Sequence, residues 1–338
     1  MSVNSQATIS AAILYCVVGA SVFLILPLFI GAAAEDFSLN QAQLGYLSAA
    51  ALSGSLVSAT FAIFWVRRIN WKKTMVTAML ILGTSHLCAI FANTYTLLTL
   101  AIFVASLGGG TAYSLGITIL SDNENPDRVF GFCIAAQVSF QVIGLLILPG
   151  FIDRDGLDSV LIILASLAFL SLMLIRALPA SGKDVRTSNV LQIFRQSKVV
   201  FALFGCLFFF FNVGCFWTFI ERMGNTTGYS PQVIGYSLAT GVSVGIAGSF
   251  CASWLGDKYG RLRPLLLSAI GTVITAALLS STEALVIYII AIALYNFVWN
   301  YSLVYQYAVV AAADDSGCGI AITPAFHSAG AAVGSAIA

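Results

Sequence analysis

The amino-acid sequence predicts an all-α membrane protein with about eleven transmembrane helices. Of its 338 residues, 59% are hydrophobic and only 9% are Asp, Glu, Lys or Arg, whereas an ordinary soluble domain has about 25% charged residues. The apolar stretches are long and continuous rather than alternating, which favours helices over a β-barrel. A membrane-spanning helix needs about 20 apolar residues, so a chain of this length with short connections has room for roughly eleven.

The apolar stretches can be assigned to individual spans. The first is interpreted as a retained transmembrane helix, because the segment after Met1 lacks the basic residues and the cleavage site of a signal peptide. The predicted spans cover residues 9–30, 44–66, 75–92, 95–119, 129–152, 160–176, 199–220, 233–255, 264–281, 284–310 and 319–338. The seven cysteines form no C-x-x-C pair and the net charge is +1, so we expect no metal, no cofactor and no nucleic-acid partner.

Basic residues are concentrated on one side of these spans. Of the 15 Lys and Arg residues, all except Arg154 and Arg222 fall in connections on the side of the N-terminus. The positive-inside rule therefore predicts a cytoplasmic N-terminus in a multi-pass protein of the cell (inner or plasma) membrane. The longest connection is polar and basic. It divides the chain into an N-terminal six-helix bundle at 1–178, a cytoplasmic linker at 179–198 and a C-terminal five-helix bundle at 199–338.

Weak internal similarity relates the two predicted bundles. At an offset of 190, Gly45 in span 2 matches Gly235 in span 8, and at an offset of 186, Gln141 in span 5 matches His327 in span 11. Each match alone carries little information, but the two offsets are similar. They predict two parallel repeats, each designed for six spans and related by an axis along the membrane normal. On this interpretation the chain lacks a twelfth span.

The connection after span 8 carries a recognisable motif. It reads Ser253-Trp-Leu-Gly-Asp257-Lys258-Tyr-Gly260-Arg261-Leu-Arg263. This resembles the loop motif G-x-x-x-D-[RK]-x-G-[RK]-x-[RK] of the major facilitator superfamily, with Ser253 in place of the first glycine. The equivalent stretch after span 2 keeps its basic residues but has Arg67 and Asn70 where the motif has Asp and Gly. Together with the repeat, the linker and the span count, the resemblance extends over the whole chain.

The resemblance implies secondary transport by alternating access, with a solute cavity near the membrane midplane between two bundles. We therefore expect a monomer in the lipid bilayer that binds a small-molecule solute and is not an enzyme. The end of span 7, residues 216–221, is similar to exporters of drugs, sugars and nucleosides, which favours efflux. The alternatives are an uncoupled facilitator, an uptake permease and a non-transporting membrane sensor.

Charged residues at the loops are expected to form a cytoplasmic gate. In the family, the loop after span 2 lies against the start of span 11, and the loop after span 8 lies against the start of span 5. Opposite charges are present at both places, and each partly solvated pair would contribute about 0.5–1 kcal/mol. The alternative is that they are only solvated positive-inside residues. The predicted gate residues are Asp257, Lys258, Gly260, Arg261, Arg128, Arg67, Arg68, Asp314 and Asp315.

Polar and aromatic residues are concentrated on spans that the resemblance assigns to the cavity wall. Polar groups inside a membrane need protein or water partners, and amides and aromatic rings can bind hydroxyls and flat ring faces. The alternatives are interfacial aromatic belts and amides that bridge helices. The predicted cavity residues are Gln137, Gln141, Asn212, Trp217, Tyr295, Asn296, Trp299, Asn300 and His327.

Two titratable residues are candidates for proton coupling. His327 lies deep in span 11, and Glu221 lies near the outer end of span 7, next to Arg222. Coupling through either residue is one possibility; the alternatives are a neutral structural histidine, an outer ion pair and uncoupled transport. Span 4 lacks the arginine typical of proton-antiporting family members. Because the midplane carries no Lys or Arg, we expect a neutral, zwitterionic or weakly cationic solute rather than an anion.

Overall fold

A computed structural model describes residues 3–66, 68–124, 126–182, 195–256, 258–281, 284–313 and 318–338. In these ranges the chain forms an all-α bundle, as the sequence predicts, together with a short 3₁₀ helix at Leu172–Ala177. The α-helices are α1 (Gln6–Leu24), α2 (Leu26–Phe37), α3 (Gln41–Trp65), α4 (Trp71–Ile90), α5 (Tyr95–Ser121), α6 (Pro126–Ser171), α7 (Ser197–Thr226), α8 (Pro231–Leu255), α9 (Leu262–Ser281), α10 (Leu285–Ala313) and α11 (Cys318–Ile337).

Two features separate these helices from a simple one-span, one-helix arrangement. Span 1 is broken at Ile25 (φ −109°, ψ 16°) into α1 and α2, with Pro27 in the first turn of α2. Proline is tolerated in a first turn, where its missing N–H would have no intrahelical acceptor. Spans 5 and 6 are the two helical segments of α6, which meet at Gly156, where a φ of 60° and a ψ of −148° interrupt the helix. Only glycine adopts this backbone conformation without strain.

The sequence encodes the helix starts clearly. The side chains of Ser5, Asn40, Asn70, Thr94 and Ser230 each accept a hydrogen bond from a backbone N–H in the first turn of the following helix. These caps satisfy N–H groups that have no partner inside the helix. Most predicted spans begin and end within a few residues of the observed helices, but α2 continues to Phe37 and α7 to Thr226, beyond the predicted ends at 30 and 220.

We call the end of the bundle that carries the start of α1 and residues 178–182 the linker face, and the opposite end the distal face. Counted over the described residues, nine helices are long and apolar enough to cross a membrane. One of them is the folded α6, which crosses twice. Large apolar side chains such as Phe91, Phe201 and Trp254 are strongly exposed on the outside of the bundle, as expected for a surface in contact with lipid tails.

The helices of the first half (α1–α6) and the second half (α7–α11) pack against each other along two seams. One seam joins α3 to α11 and the other joins α6 to α8. A third contact joins α2 to α7 near the centre. The predicted boundaries at 1–178, 179–198 and 199–338 remain predictions, since residues 183–194 of the linker lie outside the described ranges.

Candidate functional site

Five aromatic rings surround one another where α1, α7 and α10 meet. Trp299 is the hub: its ring centroid lies 6.0 Å from Phe23, 6.2 Å from Phe210, 5.8 Å from Trp217 and 5.9 Å from Tyr295. Most of these contacts are edge-to-face or tilted, the arrangements that aromatic pairs favour. We call these five residues the aromatic cluster. It contains three of the predicted cavity residues, on two different helices of the second half.

Unpaired polar atoms lie on α7 and α10, which carry most of the aromatic cluster, and on the neighbouring α11. The hydroxyl of Tyr295, Oδ1 of Asn212, Oε1 of Gln306, Nε2 of His327 and Oε2 of Glu221 are buried without a hydrogen-bond partner among the described residues. Buried polar groups in proteins are nearly always hydrogen-bonded, and leaving one unpaired costs about 1–3 kcal/mol. Such atoms on helices α7, α10 and α11 are therefore candidates for binding a solute.

His327 extends the aromatic cluster towards α11. Its imidazole stacks on Phe210, with ring centroids 3.9 Å apart and planes 12° apart, and Tyr307 contacts it edge-on at 5.5 Å. The side chain is 6% exposed. The structure thus brings His327, Trp299 and Tyr295 into one continuous group through the ring of Phe210.

Asn296 and Asn300 lie on a neighbouring face of α10. Nδ2 of Asn296 donates to the carbonyl oxygen of Ile292 at 3.0 Å, and Nδ2 of Asn300 donates to the carbonyl oxygen of Asn296 at 2.9 Å. A Cβ built on Gly245 would lie 2.5 Å from Nδ2 of Asn300. Asn300 therefore lies at the contact between α10 and α8, while Trp299 contacts α7 and α1.

The predicted glutamines lie in the first half. Nε2 of Gln137 donates within α6 to the carbonyl oxygen and to Sγ of Cys133, at 3.4 Å in both cases. Its side chain also lies close to the hydroxyl of Tyr113 on α5. Gln141, one turn further along α6, is buried. These two amides are therefore separate from the aromatic cluster.

Trp217 connects the two halves. Its Nε1 donates to the carbonyl oxygen of Phe23 on α1 at 3.1 Å. The usual donor to that oxygen would be the backbone N–H of residue 27, and Pro27 has none. The indole of Trp217 on α7 thus supplies a donor at the place where span 1 breaks. Pro27 is the sequence signal from which this contact could have been predicted.

A chain of hydroxyl groups, which the sequence does not predict, also crosses between the halves. Oγ of Ser48 on α3 lies 2.8 Å from Oγ1 of Thr218 on α7, which lies 2.8 Å from Oγ of Ser335 on α11. All three side chains are buried. Single Ser and Thr residues in apolar helices give no strong pattern, so only the packing reveals that they meet.

Polar contacts between the halves cluster at the distal face. Arg222 on α7 forms an ion pair with Glu35 on α2, with Nη1 and Oε1 2.5 Å apart. Gln232 at the start of α8 donates to the carboxylate of Asp153 on α6. In addition, Glu221 lies directly against Gly31 of α2, so that a Cβ on Gly31 would collide with the carboxyl group. The distal face is therefore closed in this structure.

The predicted cytoplasmic gate lies largely beyond what the structure describes. Arg67, Asp257, Asp314 and Asp315 fall outside the described residues, as does the side chain of Arg128. Arg68, Lys258 and Arg261 are exposed at the linker face, and Nζ of Lys258 lies 5.6 Å from the centre of the Tyr259 ring. Gly260 has a φ of 69°, which accounts for the glycine at this position of the motif. The gate remains a prediction.

The geometry defines a class of protein: a two-bundle helical membrane protein whose halves meet around a buried aromatic and polar centre. The sequence profile of the Major Facilitator Superfamily matches residues 11–335. The chain belongs to this superfamily of transporters, which are not enzymes and carry small solutes across membranes by alternating access. No curated protein matches the chain.

Solved structures share the fold. The nucleoside transporter NupG superposes with a TM-score of 0.80 at 10% identity, covering 100% of this chain and 90% of that chain. The xylose transporter XylE from E. coli, in a partially occluded inward-open conformation, gives a TM-score of 0.73 at 14% identity, covering 97% and 90%. A bacterial homologue of the human lysosomal transporter Spinster gives 0.72 at 15% identity, covering 98% and 82%. At these identities the likeness concerns the fold alone.

Proposed function

We propose that this transporter carries a small neutral, zwitterionic or weakly cationic organic solute, and that it binds the solute at the aromatic cluster. One observation carries the proposal: the unpaired Tyr295 hydroxyl and His327 Nε2 lie on either side of the edge-to-face pair of Phe210 and Trp299. A flat ring or a sugar face would stack there, while its hydroxyl, carbonyl or N–H groups would bind the polar atoms.

Direction and orientation form part of the same proposal. We propose export, with the linker face in the cytoplasm of a cell (inner or plasma) membrane. The distribution of basic residues supports the orientation, and the similarity of residues 216–221 to exporters supports the direction. Solute uptake into sealed right-side-out vesicles, with no efflux from preloaded ones, would contradict the direction. The absence of solute flux in either direction would favour a non-transporting sensor.

A thermal-shift screen against a panel of metabolites and drugs tests the binding site. A solute that binds the folded state raises the melting temperature with concentration. Tyr295→Phe removes a hydroxyl that is unpaired in the structure, so the unliganded variant should be as stable as the parent while the ligand-induced shift falls. A full-sized shift in Tyr295→Phe would place the solute elsewhere.

Tyr288→Phe provides the matched control on the same helix. The Tyr288 hydroxyl donates to the carbonyl oxygen of Ile220 at 2.7 Å. Removing it should therefore lower the stability of the unliganded protein by about 1 kcal/mol and leave the ligand-induced shift unchanged. The two variants thus separate a binding hydroxyl from a structural one.

A further inference from the structure

Glu221 is a buried carboxyl group at the junction of the two halves. Its side chain is 6% exposed, and Oε2 has no hydrogen-bond partner among the residues that the structure describes. The next residue, Arg222, extends away to the surface and binds Glu35. The neighbouring guanidinium is thus engaged by another carboxylate.

The groups that cover Glu221 come from both halves. From the first half, α2 contributes the backbone of Gly31, and the exposed carboxylate of Glu35 lies further along the same helix, bound to Arg222. From the second half, Tyr288 of α10 faces Glu221, and the ring of Tyr229, just before α8, lies 5.9 Å from the Tyr288 ring. Because α2 belongs to the other half, separation of the halves at the distal face would uncover the carboxyl group.

An ionised carboxylate is costly to bury without a partner, whereas a protonated one is a neutral polar group. Closure of the distal face over Glu221 therefore favours its protonated form, and opening to water favours the carboxylate. We propose that Glu221 is a proton-binding site of the distal gate, so that closure of this face is linked to uptake of one proton. The chemistry is a simple protonation: the carboxylate accepts a proton from hydronium, and water is released.

His327, the other candidate for proton binding, is less well placed for this role. Its ring contacts Phe210 of α7 and Tyr307 of α10, which both belong to the second half. Separation of the halves would leave these contacts in place. Glu221, in contrast, loses the backbone of α2.

The proposal deepens the proposed transport function, but its test needs no solute. Spectroscopic label pairs at the exposed positions Ala42 on α3 and Thr226 on α7 would report the distance between the halves at the distal face. Genetically encoded labels would keep the seven native cysteines in place. For one linked proton, the ratio of closed to open protein should change by up to about tenfold per pH unit, and closure should be favoured as the pH falls.

Glu221→Gln should abolish this pH dependence and keep the distal face closed at every pH. Asp155→Asn is the matched control, because it removes an exposed carboxylate from the same face and leaves the Arg222–Glu35 ion pair in place, so it should keep the pH dependence. Glu221→Asp should restore it in part. An equal pH dependence in Glu221→Gln and the parent would overturn the proposal.

Infrared spectroscopy of the parent protein gives a second, variant-free test. With isotope-labelled glutamate, the protonated carboxyl band should grow as the distal face closes, in step with the label distance. If no glutamate carboxyl band changes as the distal face closes, the proposal is wrong. This conclusion needs only the parent protein, so it holds even if none of the variants folds. Failure to bind any solute would count against the proposed function alone, because neither measurement involves a solute.

Discussion

Substituting Gly45 or Gly235 by alanine should open the distal face. The two glycines lie near the distal ends of α3 and α8, at the two seams between the halves. A Cβ on Gly45 would collide with the carbonyl oxygen of Ser335, and a Cβ on Gly235 would lie 2.5 Å from the carbonyl oxygen of Leu145 and 2.7 Å from Cγ of Pro149. These neighbours are backbone or ring atoms, so they can move only if the helices separate.

The magnitude follows from the cost of overpacking. Inserting a methyl group into a packed contact costs about 1–3 kcal/mol. The cost applies only to the closed state, because the seam is absent when the halves separate. The ratio of closed to open protein should therefore fall about 5- to 150-fold in each variant. The double variant should combine the two costs, since the two seams lie on different helix pairs.

The assay is the distal distance between labels at Ala42 and Thr226, measured in lipid nanodiscs. Gly150→Ala is the matched control, because Gly150 also lies near the distal end of a seam helix, yet a Cβ there would meet nothing within 4 Å. This control should leave the distance unchanged and stabilise α6 by about 0.5–1 kcal/mol. If Gly45→Ala and Gly150→Ala give the same distance distribution, the reasoning is refuted.

Three further substitutions test single contacts by thermal unfolding. Gly156→Ala should lower the free energy of unfolding by about 1–3 kcal/mol, because a φ of 60° is strained for alanine. Its Cβ would also collide with Asp36, whose carboxylate accepts a hydrogen bond from the backbone N–H of Leu157. An unchanged melting temperature would contradict this. Thr218→Val should lower the free energy of unfolding by about 1–3 kcal/mol and favour distal opening, because it removes the middle group of the buried hydroxyl chain. A variant that is more stable and still closed would show that these hydroxyl groups are dispensable. Trp217→Phe should lower the free energy of unfolding by a similar amount, about 1–3 kcal/mol, because the carbonyl oxygen of Phe23 loses the indole N–H as a donor. Unchanged stability would mean that another donor replaces the indole.

The fold could be predicted because membrane helices leave a simple signal. Long apolar stretches, Asn, Ser and Thr caps, and the asymmetry of basic residues are local properties of the sequence. The break at Ile25 was harder to predict, because Pro27 is compatible both with a kink inside one helix and with the start of a new one. The packing of Trp217 against the freed carbonyl oxygen distinguishes these cases.

The candidate site was predicted only in part. The helical period places Tyr295 and Trp299 on one face of α10 and Asn296 and Asn300 on the next. Sequence alone does not determine which face meets α7 and which meets α8. That choice depends on Gly245, which lets α8 approach the asparagines closely. Aromatic residues and amides that are adjacent in sequence thus have different neighbours in space.

The repeat explains why the centre of the interface is asymmetric. Extending the predicted offset of 190 from spans 2 and 8 to spans 1 and 7 pairs Gly31 with Glu221 and Pro27 with Trp217. Gly31 and Glu221 also contact each other, as equivalent positions beside a predicted two-fold axis would.

Equivalent positions that meet on an axis compete for the same space, and two large side chains would not fit. Sequence divergence between the repeats resolves this conflict by placing glycine in one half and a carboxylate in the other. The same divergence places proline where a backbone donor is missing, and an indole where one is supplied. The buried carboxyl group and the indole bridge therefore both lie at positions where the two predicted repeats differ.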